Sequence, residues 1–562
     1  MHQLIRAARG GGGGGGGGKN ASSSPLRCFA LHEHHFGQIA CAKSQNGVEN
    51  DVVASPSDFH SHLCEKIRHA QDRVILASLY IGVGSRATHL HEDRQQKIIS
   101  SLPFSKEDEF LESLRQAASN EKLKQMQIIL DANRAMRKVS LTNKRNSGQS
   151  HDSATDDSIS TNSADTLLYI MKPFLDRQQK NNTNTKSNNG LFLFPVNDQR
   201  LCTILPSPLD EVAGVFHIKA YIVDDELILS GANLSEEYFS NRLDRYMLFT
   251  NGGGGLVNFY ADLSDTLCKY AVNFDGQSSL LLSTQHRNST MKKQQLESSL
   301  TRLFVDETQT ILPPDSSPVA YAIPTFQMPT SFLGRPFLQF QSDTDATRNL
   351  MLAAVDSDQN LSVRLSSAYL NLTTRLRSVL TMFGNNQRGG APYVLTAGAM
   401  SHGFAPKKNN KSTKTNGLVE SIKASIPQAF LTLVKEASQS IIACGGKVLL
   451  YERPGWTFHA KGVWIDESTI TPRPELIDDS ASVVSTVIGS GNYGARSEDL
   501  DVESNCIIVF NDESNATKTI QQSVATEWNN MCKFSTESAN LTFTDDVSKL
   551  TNVVVQVMKK FL

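Results

Sequence analysis

Two stretches of the chain carry the same reactive side chains in the same order. Phe216-His-Ile-Lys-Ala-Tyr-Ile-Val-Asp224 and Phe458-His-Ala-Lys-Gly-Val-Trp-Ile-Asp466 each place a lysine two residues after a histidine and an aspartate five residues after the lysine. A small-residue turn ending in asparagine follows each, Ser230-Gly-Ala-Asn233 and Gly489-Ser-Gly-Asn492. Eleven residues beyond each asparagine stands an acid, Asp244 in the first copy and Glu503 in the second. Core packing does not require histidine, lysine, asparagine and acid in duplicate, so the repeat points to chemistry.

On a strand, alternate side chains share a face, so His217 and Lys219 project together roughly 6–7 Å apart, as do His459 and Lys461. Imidazole serves as nucleophile or general acid–base near neutral pH. Ammonium and amide donors hold phosphoryl oxygens, a role open to Lys219, Lys461, Asn233, Asn492 and Ser490. A carboxylate on the far ring nitrogen fixes the imidazole tautomer. Asp244 and Glu503 are the candidates, and Asp244 is expected to orient His217. Asp224 and Asp466 complete the repeated motif and stand with the catalytic set, although their strand parity is opposite and aspartate at a strand end is ordinary turn chemistry. Arg242 and Arg245 flank Asp244, Arg496 lies between Asn492 and Glu503, and Arg134 follows an apolar strand. All four are candidate contacts to substrate phosphate, with Arg134 equally well read as an exposed loop residue.

The elements that must position these groups alternate between helix and strand. Phe59, Leu63, Ile67 and Ala70 mark an amphipathic helix, and Val74–Ile81, Gln127–Leu130 and Leu191–Phe194 read as strands. Val363–Leu370, Tyr393–Thr396 and Val448–Tyr451 are their second-half counterparts, with a helical stripe at Phe430, Leu433, Val434, Ala437 and Ile441. Val74-Ile-Leu-Ala-Ser-Leu-Tyr-Ile81 aligns without a gap on Val363-Arg-Leu-Ser-Ser-Ala-Tyr-Leu370, pairing Ser78 with Ser367 and Tyr80 with Tyr369. Such alternation predicts an α/β fold. The polar tracts Thr142–Asp165, Gln178–Gly190 and Pro406–Gly417 read as loops or insertions. Gly82-Val-Gly84 reads as a tight turn, and the apolar residues of the C-terminal stretch Val553–Phe561 as core rather than a membrane contact.

The 562 residues are 39% hydrophobic and 20% charged, enough for sizeable cores and more than one domain. With 55 basic and 57 acidic residues the chain lacks the basic excess of a dedicated nucleic-acid binder. It contains no apolar run long enough for a membrane-spanning helix. Its eight cysteines include no C-x-x-C pair, so neither a zinc site nor a disulfide framework is expected. Before Glu33 the sequence has Arg6, Arg9, Lys19 and Arg27 and no acid, with Gly10–Gly18 breaking any apolar signal core. This is the profile of an organelle transit peptide, here mitochondrial. His32-Glu-His-His35 reads as part of a solvated tail. The expected division is 1–50 transit peptide and disordered tail, 51–275 first lobe, 276–320 linker and 321–562 second lobe.

The doubled H-x-K-x(4)-D motif with its downstream asparagine resembles the phospholipase D superfamily over most of Ser55 to Phe534. Leu229-Ser-Gly-Ala-Asn-Leu-Ser-Glu-Glu-Tyr-Phe-Ser-Asn-Arg-Leu-Asp-Arg-Tyr246, Ala77-Ser-Leu-Tyr-Ile-Gly82 and Ile129-Leu-Asp-Ala-Asn-Arg134 are similar to the eukaryotic mitochondrial phosphatidylglycerophosphate synthase family. The resemblance implies two α/β sandwich lobes related by a pseudo-twofold axis around one shared site, with no catalytic metal and no cofactor. It implies CDP-diacylglycerol and glycerol 3-phosphate as substrates and peripheral contact with the mitochondrial inner membrane. It further implies that His217 attacks the lipid-bearing phosphorus while His459 protonates departing CMP and then deprotonates the acceptor. A phosphatidylserine synthase, or a hydrolytic phospholipase D or nuclease, of the same superfamily is the alternative. The sequence departs from the superfamily pattern in two places: Ser230 and Gly231 are swapped with a shortened spacer, and Thr469–Ser485 is an apparent insertion.

Overall fold

The computed structural model describes residues 2–9, 25–38, 54–85, 104–141, 159–180, 188–196, 214–276, 290–305, 318–328, 342–385, 390–403, 417–468, 473–478, 480–511, 514–538, 551–552, 554–556 and 559. Gly10–Gly18 and most of the Pro406–Gly417 tract lie outside them.

Two mixed sheets form the framework. The first runs, edge to edge, Val272–Asn273, Gly190–Phe194, Gln125–Asp131, Arg73–Ser78, Ala220–Val223, Glu226–Ser230, Tyr246–Phe249 and Phe36–Gly37. The second runs Ser535–Glu537, Lys447–Tyr451, Pro392–Ala397, Leu361–Ser366, Gly462–Glu467, Val483–Gly489, Glu503–Phe510, Ala320–Gln327 and Phe29–Leu31. Strand order and sense coincide. In each sheet three central strands are parallel, the strand that follows the histidine pairs antiparallel to the first of them, and a hairpin continues outward. The α/β fold is thus built twice, on the strands that the aligned apolar runs predict.

Strand alternation divides the first sheet between two cores. Val74, Leu76, Ile128, Leu130, Tyr221 and Val223 face helices of the first lobe. Ile75, Ala77, Ile129, Ala220 and Ile222 join the core that continues into the second sheet. Burial on both faces explains the near-continuous apolar runs. The helix Pro56–His69 begins with a capping box in which Ser55 and Asp58 satisfy each other's backbone amides, and it buries Phe59, Leu63 and Ile67. In the helix Gly417–Ala443 the expected stripe Phe430, Leu433, Val434, Ala437 and Ile441 is buried. Gly84 takes φ +68°, a conformation glycine adopts freely, but no hydrogen-bonded turn forms at Gly82-Val-Gly84, where the sequence predicts a tight turn.

Several expectations fail for want of long-range contacts in a sequence reading. The 1–50 segment is not a tail where it is described. His2–Ala8 is a helix that buries Leu4, Ile5 and Ala8 in the core, and Phe29–Leu31 and Phe36–Gly37 are edge strands of the two sheets. His35 is buried rather than solvated, its Nδ1 accepting the His32 amide at 3.0 Å. The Thr142–Asp165 tract ends in the strand Ile159–Thr161, paired with Val139–Leu141, and the first residues of the helix Ser163–Lys180. Within 276–320, the helix Thr290–Phe304 buries Leu296, Leu300 and Phe304. In the helices His2–Ala8 and Thr290–Phe304 the buried apolar face offsets a polar composition. Val554 and Val555 near the C-terminus are buried. No helix among the described residues is long and apolar enough to cross a membrane.

Candidate active site

Each histidine sits at the entrance to the strand that follows it, and each is held by backbone from the other lobe. His217 N donates to Val502 O at 2.8 Å, and Val502 N donates to Val215 O at 2.9 Å. Correspondingly, His459 N donates to Leu243 O at 2.8 Å, and Arg242–Leu243 pairs in parallel with Thr457–Phe458. Val502 and Leu243 immediately precede Glu503 and Asp244, so this exchange delivers each acid to the opposite histidine. His217 Nδ1 lies 2.9 and 3.0 Å from the two oxygens of Glu503, and His459 Nδ1 lies 2.7 Å from Asp244 Oδ2. The expected pairing of Asp244 with His217 is therefore corrected. The carboxylates cross between lobes, and neither lobe alone completes a histidine–acid pair.

With Nδ1 turned to a carboxylate, Nε2 of each imidazole is the atom presented to a cavity of about 290 Å³. His217, His459, Asn233, Asn492, Arg134, Arg137, Arg242 and Arg496 line it, together with Tyr80 and Tyr369, the tyrosines matched in the repeat. Ser78 and Ser367 play equivalent parts, each hydroxyl bonding the carbonyl of its tyrosine, at 3.0 and 2.8 Å. Among the described residues the side-chain oxygens of Asn233 and Asn492 are buried without a hydrogen-bond partner, so the duplicated asparagines offer acceptors for a donor on the ligand.

Burial lowers the His217 imidazole to about 4, against the opposing pull of Glu503. Burial would raise the Glu503 carboxyl, but the His217 charge and hydrogen bond, with Lys219, bring it down to about 2. The pair is thus a neutral imidazole on an ionised carboxylate, with a bare Nε2. His459 is pushed well below its ordinary value, first by burial and then by Lys461 and Arg242. Burial raises Asp244 to about 6 and lowers Lys461 to about 8.

The two lysines stand behind the histidines rather than in the cavity wall. Lys219 Nζ donates to His217 O at 2.6 Å, and Lys461 Nζ to His459 O at 2.8 Å. Ser490 Oγ donates to Ser504 O, which fixes the second asparagine turn. Gly231 explains the swapped first turn. A Cβ there would come within 2.5 Å of Asp244 Oδ1, so only glycine leaves room for the acid.

Three sequence candidates have structural duties elsewhere. Asp224 is partly exposed in the hairpin turn at φ +53°, where its carboxylate accepts the amides of Gln71, Asp72 and Arg73. Asp466 is buried against Arg364, with Nε and Nη2 at 2.9 and 3.0 Å from its two oxygens. Arg245 points away from the cavity into the second lobe, 2.7 Å from Glu527 and with its guanidinium carbon 3.8 Å from the centre of the Trp464 ring. Part of the Thr469–Ser485 insertion packs on the same side, where the carbonyls of Pro474 and Glu475 accept Arg364 Nη1. Asp466→Ala should leave that guanidinium buried and uncompensated, costing about 3–5 kcal/mol of stability. Urea titration will show this as a lower midpoint, while the remaining folded protein keeps its activity.

Sequence reasoning missed four groups. Asp131 Oδ1 caps the short helix that carries Arg134, and its Oδ2 accepts the Phe216 amide, joining that turn to His217. Ser497 Oγ donates to Glu503 at 2.8 Å. Asp501, raised to about 7 by burial, accepts the Val215 amide and lies 3.5 Å from Arg496. Tyr238 touches His459 itself, its hydroxyl 3.2 Å from Nε2. The only sequence signal for Ser497 and Tyr238 is that they occupy equivalent places, five residues after each asparagine.

Among known proteins, the chain is 26% identical over 535 residues to a Dictyostelium discoideum protein named probable CDP-diacylglycerol–glycerol-3-phosphate 3-phosphatidyltransferase, covering 91% of this chain and 77% of that one. It is 25% identical to the Saccharomyces pastorianus protein of that name (83% and 79% covered) and 26% identical to the mitochondrial one of Mus musculus (86% and 78%). No family model matches. The crystal structure of a phosphatidylserine synthase from Haemophilus influenzae Rd KW20 superposes with a TM-score of 0.53 at 18% identity, covering 95% of this chain and 94% of that chain. Along most of its length the chain is thus similar to the CDP-diacylglycerol–glycerol-3-phosphate 3-phosphatidyltransferases, and it shares the α/β fold of the phosphatidylserine synthase structure.

Proposed function

We propose that the protein transfers the phosphatidyl group of CDP-diacylglycerol to glycerol 3-phosphate, giving phosphatidylglycerophosphate and CMP. The observation that carries the chemistry is the pair of crossed histidine–carboxylate contacts opening on one arginine-lined cavity; the names of the relatives support the substrates. In this reading His217 Nε2 attacks the lipid-bearing phosphorus, the bond to the CMP phosphate breaks, and a phosphatidyl-histidine forms. Glu503 stabilises the positive charge that develops on the ring. CMP is a good leaving group and departs with little need of a proton. The primary hydroxyl of glycerol 3-phosphate then gives its proton to His459 and attacks the same phosphorus, and the P–N bond breaks to restore His217. Arg134, Arg242 and Arg496 contact the phosphates, while the side-chain oxygens of Asn233 and Asn492, which can only accept, take a hydrogen bond from a hydroxyl of the acceptor. No step calls for a metal or cofactor.

The mitochondrial relatives support action in mitochondria, at a membrane surface where the lipid substrate resides. The test is incubation with CDP-diacylglycerol and labelled glycerol 3-phosphate. CMP release that depends on glycerol 3-phosphate, with label entering lipid, is the expected result. Dependence on serine instead, or release with water alone, would replace this reading with a phosphatidylserine synthase or a hydrolase.

A further inference from the structure

The duplicated site is not symmetric, and the difference falls on one ring nitrogen. Counting from the asparagines, the fifth residue is Tyr238 in the first half and Ser497 in the second, and the ninth is Arg242 against Asp501. Ser497 supports Glu503 from behind, whereas Tyr238 reaches the working nitrogen of His459. Its hydroxyl receives Asn233 Nδ2 at 3.0 Å and Arg242 Nη1 at 3.2 Å. Both neighbours are donors, so the hydroxyl hydrogen is left for His459 Nε2, 3.2 Å away. The ring packs edge-on to the imidazole, at 84° and 5.1 Å between centroids, and the Arg242 guanidinium lies 4.8 Å from its centre. Tyr238 is only 2% exposed, and burial raises its phenol, so it remains a donor. Among the described residues no side chain stands in this way on His217 Nε2.

We propose that Tyr238 is a positioning residue that masks the Nε2 lone pair of His459 in the resting site, leaving His217 as the nucleophile and reserving His459 as a neutral base for the acceptor. The inference rests on the transferase reading above. A donor on Nε2 requires the proton on Nδ1, where Asp244 Oδ2 accepts it at 2.7 Å; Lys461 Nζ stands 2.8 Å from the same Nδ1 as a competing donor, and the Tyr238 hydroxyl on Nε2 tips the balance toward the Nδ1–H tautomer. Masked in this way, His459 cannot compete for the lipid phosphorus. The incoming hydroxyl of the acceptor displaces the phenol, forms its own hydrogen bond to Nε2 and gives up its proton there, while the phenol keeps its own.

Two measurements test this. The first follows covalent label from lipid-labelled CDP-diacylglycerol, quenched in alkaline denaturant to preserve a phosphoramidate and mapped to peptides. The parent should label at His217, His217→Ala should carry no label, and the double variant His217→Ala/Tyr238→Phe should label at His459. A double variant as bare as His217→Ala would overturn the proposal. The second is the pH profile of transfer to glycerol 3-phosphate. The groups facing His459 are Asp244, Lys461, Lys219, His217, Arg242 and Tyr238, and Tyr238→Phe removes one of the two donors on the neutral ring, the other being Lys461 Nζ, 2.8 Å from Nδ1 and 3.4 Å from Nε2. The acidic limb should move up by roughly half to one pH unit, since a bond to the neutral form holds a base down. An unmoved limb, which is what a purely packing role predicts, would also overturn it. Phenylalanine keeps the buried ring, and melting curves run beside each variant establish that the folded protein is compared. A parent that releases no CMP from CDP-diacylglycerol would instead refute the transferase reading itself.

Discussion

Glu503→Gln should disable His217 and Asp244→Asn should disable His459, so that the acid of each half governs the histidine of the other. In the parent, Glu503 is ionised and holds the His217 proton on Nδ1. A carboxamide can turn its NH2 toward the ring, which moves the proton to Nε2 and removes the nucleophilic lone pair. It also removes the negative charge that balances the cationic ring of the intermediate. A wrong tautomer in an arrangement of this kind costs roughly 10²–10⁴-fold in rate. Glu503→Gln should therefore suppress the first CMP burst by that factor. Asp244→Asn should leave the burst within a few-fold of the parent and slow the transfer to glycerol 3-phosphate. Rapid-quench measurement of CMP and of lipid product separates the two steps. A burst lost in Asp244→Asn and kept in Glu503→Gln would overturn the assignment of His217 as nucleophile: label on His459 would exchange the two roles with the crossing kept, and label on His217 would mean that the acids act within their own halves.

That crossing marks the limit of what can be read along the chain. The histidines, lysines, asparagines and acids were legible because they occur twice at fixed spacing. Which acid meets which histidine depends on the Phe216–Val502 bridge and the Arg242–Thr457 pairing, contacts more than 200 residues apart in sequence. The strands were legible because burial on both faces writes them as apolar runs. Tyr238 escaped for the opposite reason: a repeat search finds what the halves share, and Tyr238 is where they differ. Arg245 looked like a ligand contact because it adjoins Asp244, yet the two lie between the strands Arg242–Leu243 and Tyr246–Phe249 and point to different sides, and the Arg245 guanidinium enters the second lobe. Asp224 and Asp466 show that a shared motif position need not mean a shared role. One caps a tight turn. The other faces Arg364 beneath an insertion that its counterpart lacks. In the N-terminal segment, composition outweighed pattern. Four basic residues and a glycine run obscured Leu4, Ile5, Leu26 and Leu31, each of which is buried.

His459→Ala should release about one equivalent of CMP per enzyme and then stall, whereas His217→Ala should release none. The contrast follows from the two leaving groups and the two nucleophiles. Expelling CMP breaks a bond to a phosphate oxygen that carries negative charge readily, so the first step draws little help from a proton donor. The second step needs a primary alcohol to attack, and an alcohol is a poor nucleophile until a base takes its proton. Loss of that base should slow transfer by roughly 10²–10⁴-fold, which leaves the phosphatidyl-enzyme as the species that accumulates. It should be visible as lipid label on His217 that survives an alkaline quench and is discharged only slowly by added glycerol 3-phosphate. A base supplied in solution, such as imidazole, should speed that discharge if the alanine leaves room for it. Label on His217→Ala but not on His459→Ala would exchange the two roles. Absence of label on the parent at every quench time would instead mean that the acceptor displaces CMP directly. In that case Glu503 and His217 would serve as the base, and the crossed acids would act on a single step rather than on two.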